Sequence, residues 1–439
     1  MNTSLLPVNL AFETNFSILP DYVHPVLLNT VEALLNDICQ KSTPMKKVFP
    51  IPRMVPSANT DAHETQYCWS YSSNDSQHTE RCRTQVMATV NATPDSFSDG
   101  GVHDQLSAAL SYISSSISAG ATIIDIGGYS TRPGASFVSV EDEINRVVPI
   151  IQAMRNREFL EGMKHDIGAD SDEVLQRHIE TVLMTPISID TFRWQVAEAA
   201  IEAGANCIND VYAFGGPDSW RPPGKAASGE GNEYTVNMKT IARKYAVPVI
   251  LMHSRGDAGS NKDYTTFDYA ADEKGRGVVM EAVRVELGAR VDLVTKGKGG
   301  VRRWLVIVDP GVGFSKSTEG NLELLSLAHK VVGNTMIGNG QFFFFSSLLF
   351  AYVQSNPNLV PQTRNPLRGF PMLIGPSRKS FLGEILARQP AGRRTLPNER
   401  TYATAAAVSC AVQQRTMIVR VHDVREMMDV VKVTETLYL

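Results

Sequence analysis

Six apolar runs in this chain each lead into, or carry at their C-terminal end, side chains able to do chemistry. Asn91 follows VMATV, Asp190 closes PISID, Asn209 and Asp210 close NCIND, and His253 closes PVILMH. Asp309 closes WLVIVD, and MIVRVH carries Arg420 and His422. Carboxylates, amides, arginine and histidine are groups that hydrogen-bond and carry charge, and the local basic residues could serve an anionic small molecule. A lone carboxylate at a strand end is most often a turn or helix-cap residue. Many such endings in register describe one reactive mouth.

The segments after these runs add to the set. NATPDSFSDGG (91–101) brings Asp99, and GGYSTRPGA (127–135) brings Ser130, Thr131 and Arg132 on a glycine-flanked turn. DPGVGFSKS (309–317) contains Gly313, Phe314 and Lys316, and GPSRKSFLGE (375–384) opens a helix with Ser377, Arg378, Lys379 and Ser380. His253 also reads as a satisfied core histidine, Asp210 as the holder of its neighbouring loop, and Lys316 equally as a solvated surface lysine. Asp423 reads as a helix cap or as the orienter of His422, and Met252 and Phe314 as pocket lining.

What must position these groups is a repeated β-then-α unit. Strand candidates are VMATV (86–90), TIIDIG (122–127), PISID (186–190), NCIND (206–210), PVILMH (248–253), WLVIVD (304–309), PMLIG (371–375) and MIVRVH (417–422). Their nearly continuous apolar character is that of parallel strands buried on both faces. Amphipathic helices such as SVEDEINRVVPIIQAM (139–154) and TFRWQVAEAAIEAGA (191–205) lie between them. The pattern predicts an α/β fold, a (β/α)8 barrel over 85–439, with a doubly wound sheet as the alternative. Residues 1–84 form an N-terminal non-barrel extension, with one helical pattern at 24–40 and a polar linker, SSNDSQHTERCR.

Bulk properties narrow the function. The 439 residues carry a net charge of −4 and are 43% hydrophobic, so a nucleic-acid footprint is absent. Five scattered cysteines without a CxxC pair read as free thiols in a reducing compartment. The first residues, MNTSLLPVNLAFETNF, lack the charged and apolar regions of a secretory signal and the arginines of a mitochondrial presequence. A cytoplasmic location is expected, with a mitochondrial one left open. The longest apolar run, FFFFSSLLFAYV (342–353), is too short for the roughly 20 residues of a membrane-spanning helix.

Taken in order, NATPDSFSDGG, IDIGGYSTRPGA, SIDT, IND, LMHSRG, DPGVGF, SRKSF and RVHDV resemble the dihydropteroate synthase family. The resemblance covers about 85–439. It implies a pterin-binding barrel that joins 6-hydroxymethyl-7,8-dihydropterin pyrophosphate to p-aminobenzoate, and a sulfonamide target. It assigns Asp190, Asn209 and Asp309 to the pterin edge, with Lys379 on the ring-carbonyl side. Asn91, Arg420 and His422 match the diphosphate positions, and Mg²⁺ would bridge Asn91 and the diphosphate. Asp99, Thr131 and Arg132 fall on two loops that the family orders over its substrates. Ser380 marks the p-aminobenzoate carboxylate site, and Met252, Gly313 and Phe314 line the pocket. Homodimerisation is a family expectation. A pterin-dependent methyltransferase would not need the SRKS and RVHDV sets. A synthase-like barrel inactivated by its insertions, or translated from a wrongly assembled gene, is the remaining alternative.

Departures from the family pattern are local. Tyr129 stands where a small or acidic residue is usual, and Arg415–Thr416 where a glycine commonly precedes the last strand. Two insertions are expected, about 214–237, whose Gly, Pro and Ser content reads as a disordered surface excursion, and about 331–358. The second contains the phenylalanine run; its Phe, Ser and Leu share pyrimidine-rich codons, which suggests an intron retained over about 331–356. LPDYVHPVLLNTVEALLND (19–37) weakly resembles the tail of the pterin pyrophosphokinase in fungal fused folate enzymes, without that kinase's body.

Overall fold

The computed structural model describes residues 84–93, 102–130, 136–162, 171–220, 232–266, 269, 277–297, 299–333, 336–337, 363–388, 390 and 392–438. The extension 1–83, Asp99, Thr131, Arg132 and the phenylalanine run lie outside the described residues.

Strands and helices alternate as the apolar pattern requires. β1 (Gln85–Asn91) leads to α1 (Val102–Ser118), β2 (Ile123–Gly127), α2 (Val140–Met154) and α3 (Asp172–Met184). β3 (Ile187–Asp190), α4 (Trp194–Ala203), β4 (Cys207–Asp210), α5 (Glu233–Tyr245) and β5 (Val249–Met252) follow. Next come α6 (Val278–Thr295), β6 (Val306–Asp309) and α7 (Thr318–Ser326), then two short strands, β7 (Met336–Ile337) and β8 (Thr363–Arg364). β9 (Leu373–Ile374), α8 (Ser380–Arg388), α9 (Thr401–Gln413), β10 (Ile418–Val421) and α10 (Val424–Tyr438) complete the fold.

Eight parallel strands run in the order β6-β5-β4-β3-β2-β1-β10-β9. A parallel bridge between Val308 and Met372 closes the ring, with the Val308 amide donating to the Pro371 carbonyl at 2.9 Å. The result is a (β/α)8 barrel.

Register decides which side chains face inward. Parallel neighbours in register share a face, so Thr89, Asp125, Ser188 and Cys207 form one row. Asn91, Gly127, Asp190 and Asn209 form the row above it. Met87 pairs with Arg420 and Met252 with Asp309 on the same inner face. Alternate residues, such as Val86, Ala88, Ile124, Ile126, Ile187 and Ile208, join the apolar shell beneath the helices. Met87, Ile123, Ile250, Ile307, Leu373 and Ile418 are buried apart from that shell and floor the barrel. The polar inward rows lie toward the C-terminal end, above this floor.

Two departures resolve into defined local structure. α9 ends with Arg415 in the left-handed region (φ 62°), its amide donating to Val412 and that of Thr416 to Ala411. This 6→1 and 5→2 pair is the glycine-type helix stop, here carried by arginine. The loop after β4 is shorter than its composition suggests. Phe214 is fully buried and α5 begins at Glu233, capped by the Asn232 side chain accepting from the Thr235 amide at 3.1 Å. Asn232 also donates to Gly215 O at 2.6 Å, and Thr235 Oγ1 to Phe214 O at 2.8 Å, joining the two ends of the loop. The expected excursion over 214–237 is therefore corrected at both ends, with 221–231 outside the described residues.

Candidate active site

The inner rows at the C-terminal end of the barrel converge on one guanidinium. Arg420 Nε donates to Asp125 Oδ2 at 2.5 Å and its Nη2 to Asp190 Oδ2 at 2.7 Å. Asn209 Nδ2 reaches the same Asp125 Oδ2 at 3.2 Å. Burial pushes the Asp190 carboxyl up to about 7; Arg420 opposes this, while Asp125 and other acids add to it. Burial also opposes the Arg420 charge, but Asp125 and Asp190 outweigh it and hold the guanidinium well above its ordinary range. Arg420, expected at a diphosphate, is held here by two carboxylates. Sequence reasoning misses Asp125. Its signal is a carboxylate in the middle of the otherwise apolar strand IIDIG, fully buried in the structure.

Asp309 ends β6 and faces the same interior. Its Oδ1 accepts from the Gly311 amide at 2.7 Å, and burial raises its carboxyl to about 6 against that bond and the charges of Lys379, Lys316 and Arg420. The loop beyond it places the half-buried Phe314 ring 3.9 Å from Lys379 Nζ, within cation–π range. Gly313 (φ 84°) permits this approach, because a Cβ there would meet Lys379 Cδ at 2.7 Å. Met252 is buried at the end of β5.

Ser380 is the first residue of α8 and is exposed there, at the positive dipole end of the helix. His422 follows β10, and Ser377, itself buried, meets its Nδ1 at 3.0 Å and accepts from its amide at 3.2 Å. Tyr112 donates to His422 O at 2.6 Å. The Asp423 side chain neither caps α10 nor orients His422: it pairs with Arg378, whose Nε donates to Oδ2 at 3.1 Å. Arg378 itself is left-handed (φ 58°), a strained conformation of the kind that gathers at functional sites.

Asn91 ends β1 half-buried, in register with Gly127. Its carboxamide oxygen is a hard donor, but no group of three or more His, Cys, Asp or Glu among the described residues could hold a metal ion. Asp210 faces outward, accepting from the Tyr212 and Phe214 amides at 2.7 and 2.9 Å, and so holds its own loop. Tyr129 packs edge-on to Phe192 at 5.6 Å and under the Arg193 guanidinium at 4.7 Å.

Behind β5 and β6 lies a second polar cluster. Glu286 of α6 accepts from Arg255 Nη2 at 2.5 Å, Tyr269 Oη at 2.5 Å and His253 Nε2 at 3.0 Å. Burial would raise the Glu286 carboxyl, but the hydrogen bond from His253 and the hydrogen bonds and charge of Arg255 hold it far below the usual range. Burial and the Lys316 charge push His253 down to about 4, so at neutral pH it is an uncharged imidazole. Lys316 is not a surface residue; it is 4% exposed.

The family described as pterin binding enzyme matches residues 87–174, 168–337 and 351–422, and the chain belongs to it. Within that family its near full-length relatives are dihydropteroate synthases. The enzyme of Synechocystis is 34% identical over 356 residues, covering 81% of this chain and 91% of that one. The Pneumocystis carinii folic acid synthesis protein fol1 is 33% identical over 355 residues; the match takes in 81% of this chain and only 36% of that longer protein. The solved Xanthomonas albilineans dihydropteroate synthase with 4-aminobenzoic acid is 30% identical, with a TM-score of 0.53 over 81% of this chain and 93% of that one.

Proposed function

We propose that the chain is a transferase of folate biosynthesis, condensing 6-hydroxymethyl-7,8-dihydropterin pyrophosphate with p-aminobenzoate to give 7,8-dihydropteroate and pyrophosphate. The observation that carries this reading is the inward set Asp190, Asn209 and Asp309. Asn209 stands in register beside Asp190 and Asp309 faces the same interior, and burial raises the proton affinity of both carboxyls, so the set favours a ligand that brings donors. The N–H edge of a pterin supplies those donors, and a heterocycle without them would leave buried acids unmatched. Lys379 stands on the carbonyl side of such a ring.

Catalysis then rests on placement and on charge at the leaving group. The amine of p-aminobenzoate attacks the exocyclic methylene as its C–O bond breaks, and the electron pair leaves with the pyrophosphate. The amine loses its proton to solvent. His422, Lys379 and Arg420 supply positive charge or donors, with Arg420 giving up a carboxylate as the pterin takes its place. The exposed Ser380 hydroxyl and the amides of α8 suit the p-aminobenzoate carboxylate. Asn91 suits Mg²⁺ that keeps mostly water and diphosphate oxygens, and the ion would neutralise leaving-group charge. Asp99 and Arg132 would order over the bound substrates.

No described helix is long and apolar enough to cross a membrane, and small-molecule substrates need no further partner. A homodimer would be free to cover the hollow of about 1150 Å³ between α7, α8 and α9, lined by Leu322, Leu325, Leu382, Ile385 and Ala407. A cytoplasmic or mitochondrial setting fits equally.

Purified protein given Mg²⁺, pterin pyrophosphate and labelled p-aminobenzoate should form labelled dihydropteroate, with sulfonamides competing against p-aminobenzoate. Folded protein that yields no product would refute the reading.

A further inference from the structure

Lys316 has an arrangement that neither solvent exposure nor substrate contact explains. Its ammonium donates to His253 Nδ1 at 3.0 Å, Gly311 O at 3.0 Å and Phe314 O at 2.9 Å. Those three bonds use all three of its protons. Two of the acceptors belong to the loop between Asp309 and Lys316, so the loop is folded around its own lysine. The third acceptor is fixed from behind, because His253 gives its other nitrogen to Glu286, which Arg255 grips in turn at 2.5–3.1 Å.

The loop has little freedom left. Gly311 (φ 71°) lies against the His253 carbonyl so closely that a Cβ would sit 2.0 Å from its oxygen. The Gly311 amide donates to Asp309 and its carbonyl accepts from Lys316, so one residue links the site carboxylate to the buried lysine. The Phe314 carbonyl accepts from the same ammonium while its ring faces Lys379.

We propose that Lys316 is a positioning residue for the transfer reaction: braced by His253, its ammonium holds the Gly311–Phe314 loop so that Asp309 and the Phe314–Lys379 pair keep the geometry the pterin needs. The inference rests on the functional reading above, so wild-type turnover is the first measurement. An inactive, folded wild type would refute that reading before this one is reached.

With an active wild type, Lys316→Met keeps the stem and removes the donors. The expected result is a loss of about tenfold or more in kcat/KM for the pterin substrate, carried mainly by KM. Phe314→Ala should also lose activity, and the double variant should be no worse than the poorer single one, because both act through one loop. Additive losses, or Lys316→Met within twofold of wild type, would overturn the proposal. Should Lys316→Met fail to fold, His253 decides. His253→Gln retains an acceptor for Lys316 and a donor for Glu286, and should keep activity and pterin affinity; His253→Leu should lose both. Equal activity in those two variants would also overturn it.

Discussion

Two buried clusters in this barrel use the same residue types to opposite ends. Behind β5 and β6, Glu286 takes hydrogen bonds from Arg255, His253 and Tyr269, and its carboxyl is held far down. In the mouth, Asp125 and Asp190 share the single guanidinium of Arg420, and the Asp190 and Asp309 carboxyls rise to about 7 and 6. Burial is comparable, so it does not separate them. The supply of donors does. A carboxylate with donors in excess is a structural anchor; carboxylates with too few are poised for a ligand that brings its own. Perturbed acids in a cleft mark functional sites for this reason.

The contrast can be broken most forcefully at Glu286. Glu286→Gln leaves Arg255 buried without its countercharge, and should cost about 3–5 kcal/mol of unfolding free energy. Urea denaturation measures it, and a loss below about 1 kcal/mol would show that the rear cluster is not an anchor. Asp309→Asn should do the reverse. It removes a charge that the ligand-free protein bears at a cost, so stability should change by less than about 1 kcal/mol, while kcat/KM for the pterin substrate falls roughly 100-fold, or about 2.7 kcal/mol.

Titration sharpens the same point. Because the Asp309 carboxyl is raised, its relative contribution to stability is full below the ordinary carboxylate value of 3.8 and is lost as pH rises through about 6. Substrate binding has the opposite sign, since only the ionised form accepts from the pterin. KM for pterin pyrophosphate should therefore climb as pH drops below about 6, and Asp309→Asn should flatten that limb. The smallest expected effect touches neither cluster: Arg415→Gly relieves a left-handed arginine and should stabilise the protein by about 1 kcal/mol in thermal melts.

Much of this was legible in the sequence because strand chemistry is local. Apolar runs ending in Asn91, Asp190, Asn209, Asp309 and His422 fix both the strand and the face its last residue presents. Asp125 escaped because it sits mid-strand, where only the register with Thr89 and Ser188 shows that it points into the barrel. Glu286 escaped because its donors lie 17 to 33 residues away along the chain. Lys316 could be read as a surface residue because a buried lysine depends on acceptors that exist only once its loop has closed. Asn232 likewise shows how a single cap moves a boundary that composition alone would put five residues later.

Beside this chemistry, the two-residue ladder of β7 and β8 is easily overlooked. Met336 pairs with Arg364 and Ile337 with Thr363, antiparallel, so the chain leaves the barrel and returns to it at one place. Beyond, the Asn365 side chain donates to Val331 O at 2.7 Å and Gly333 O at 3.0 Å. The family match also breaks between 337 and 351. The ladder acts as a drawstring: the length of chain between Ile337 and Thr363 can change without altering the path from α7 to β9. The intron expected over about 331–356 is corrected at both ends, because 331–337 and 351–356 fall within the family match and Val331 and β7 belong to the fold. Only a shorter retained piece, over about 338–350, would reach the protein as a passenger, leaving transcript sequencing, rather than enzymology, to detect it.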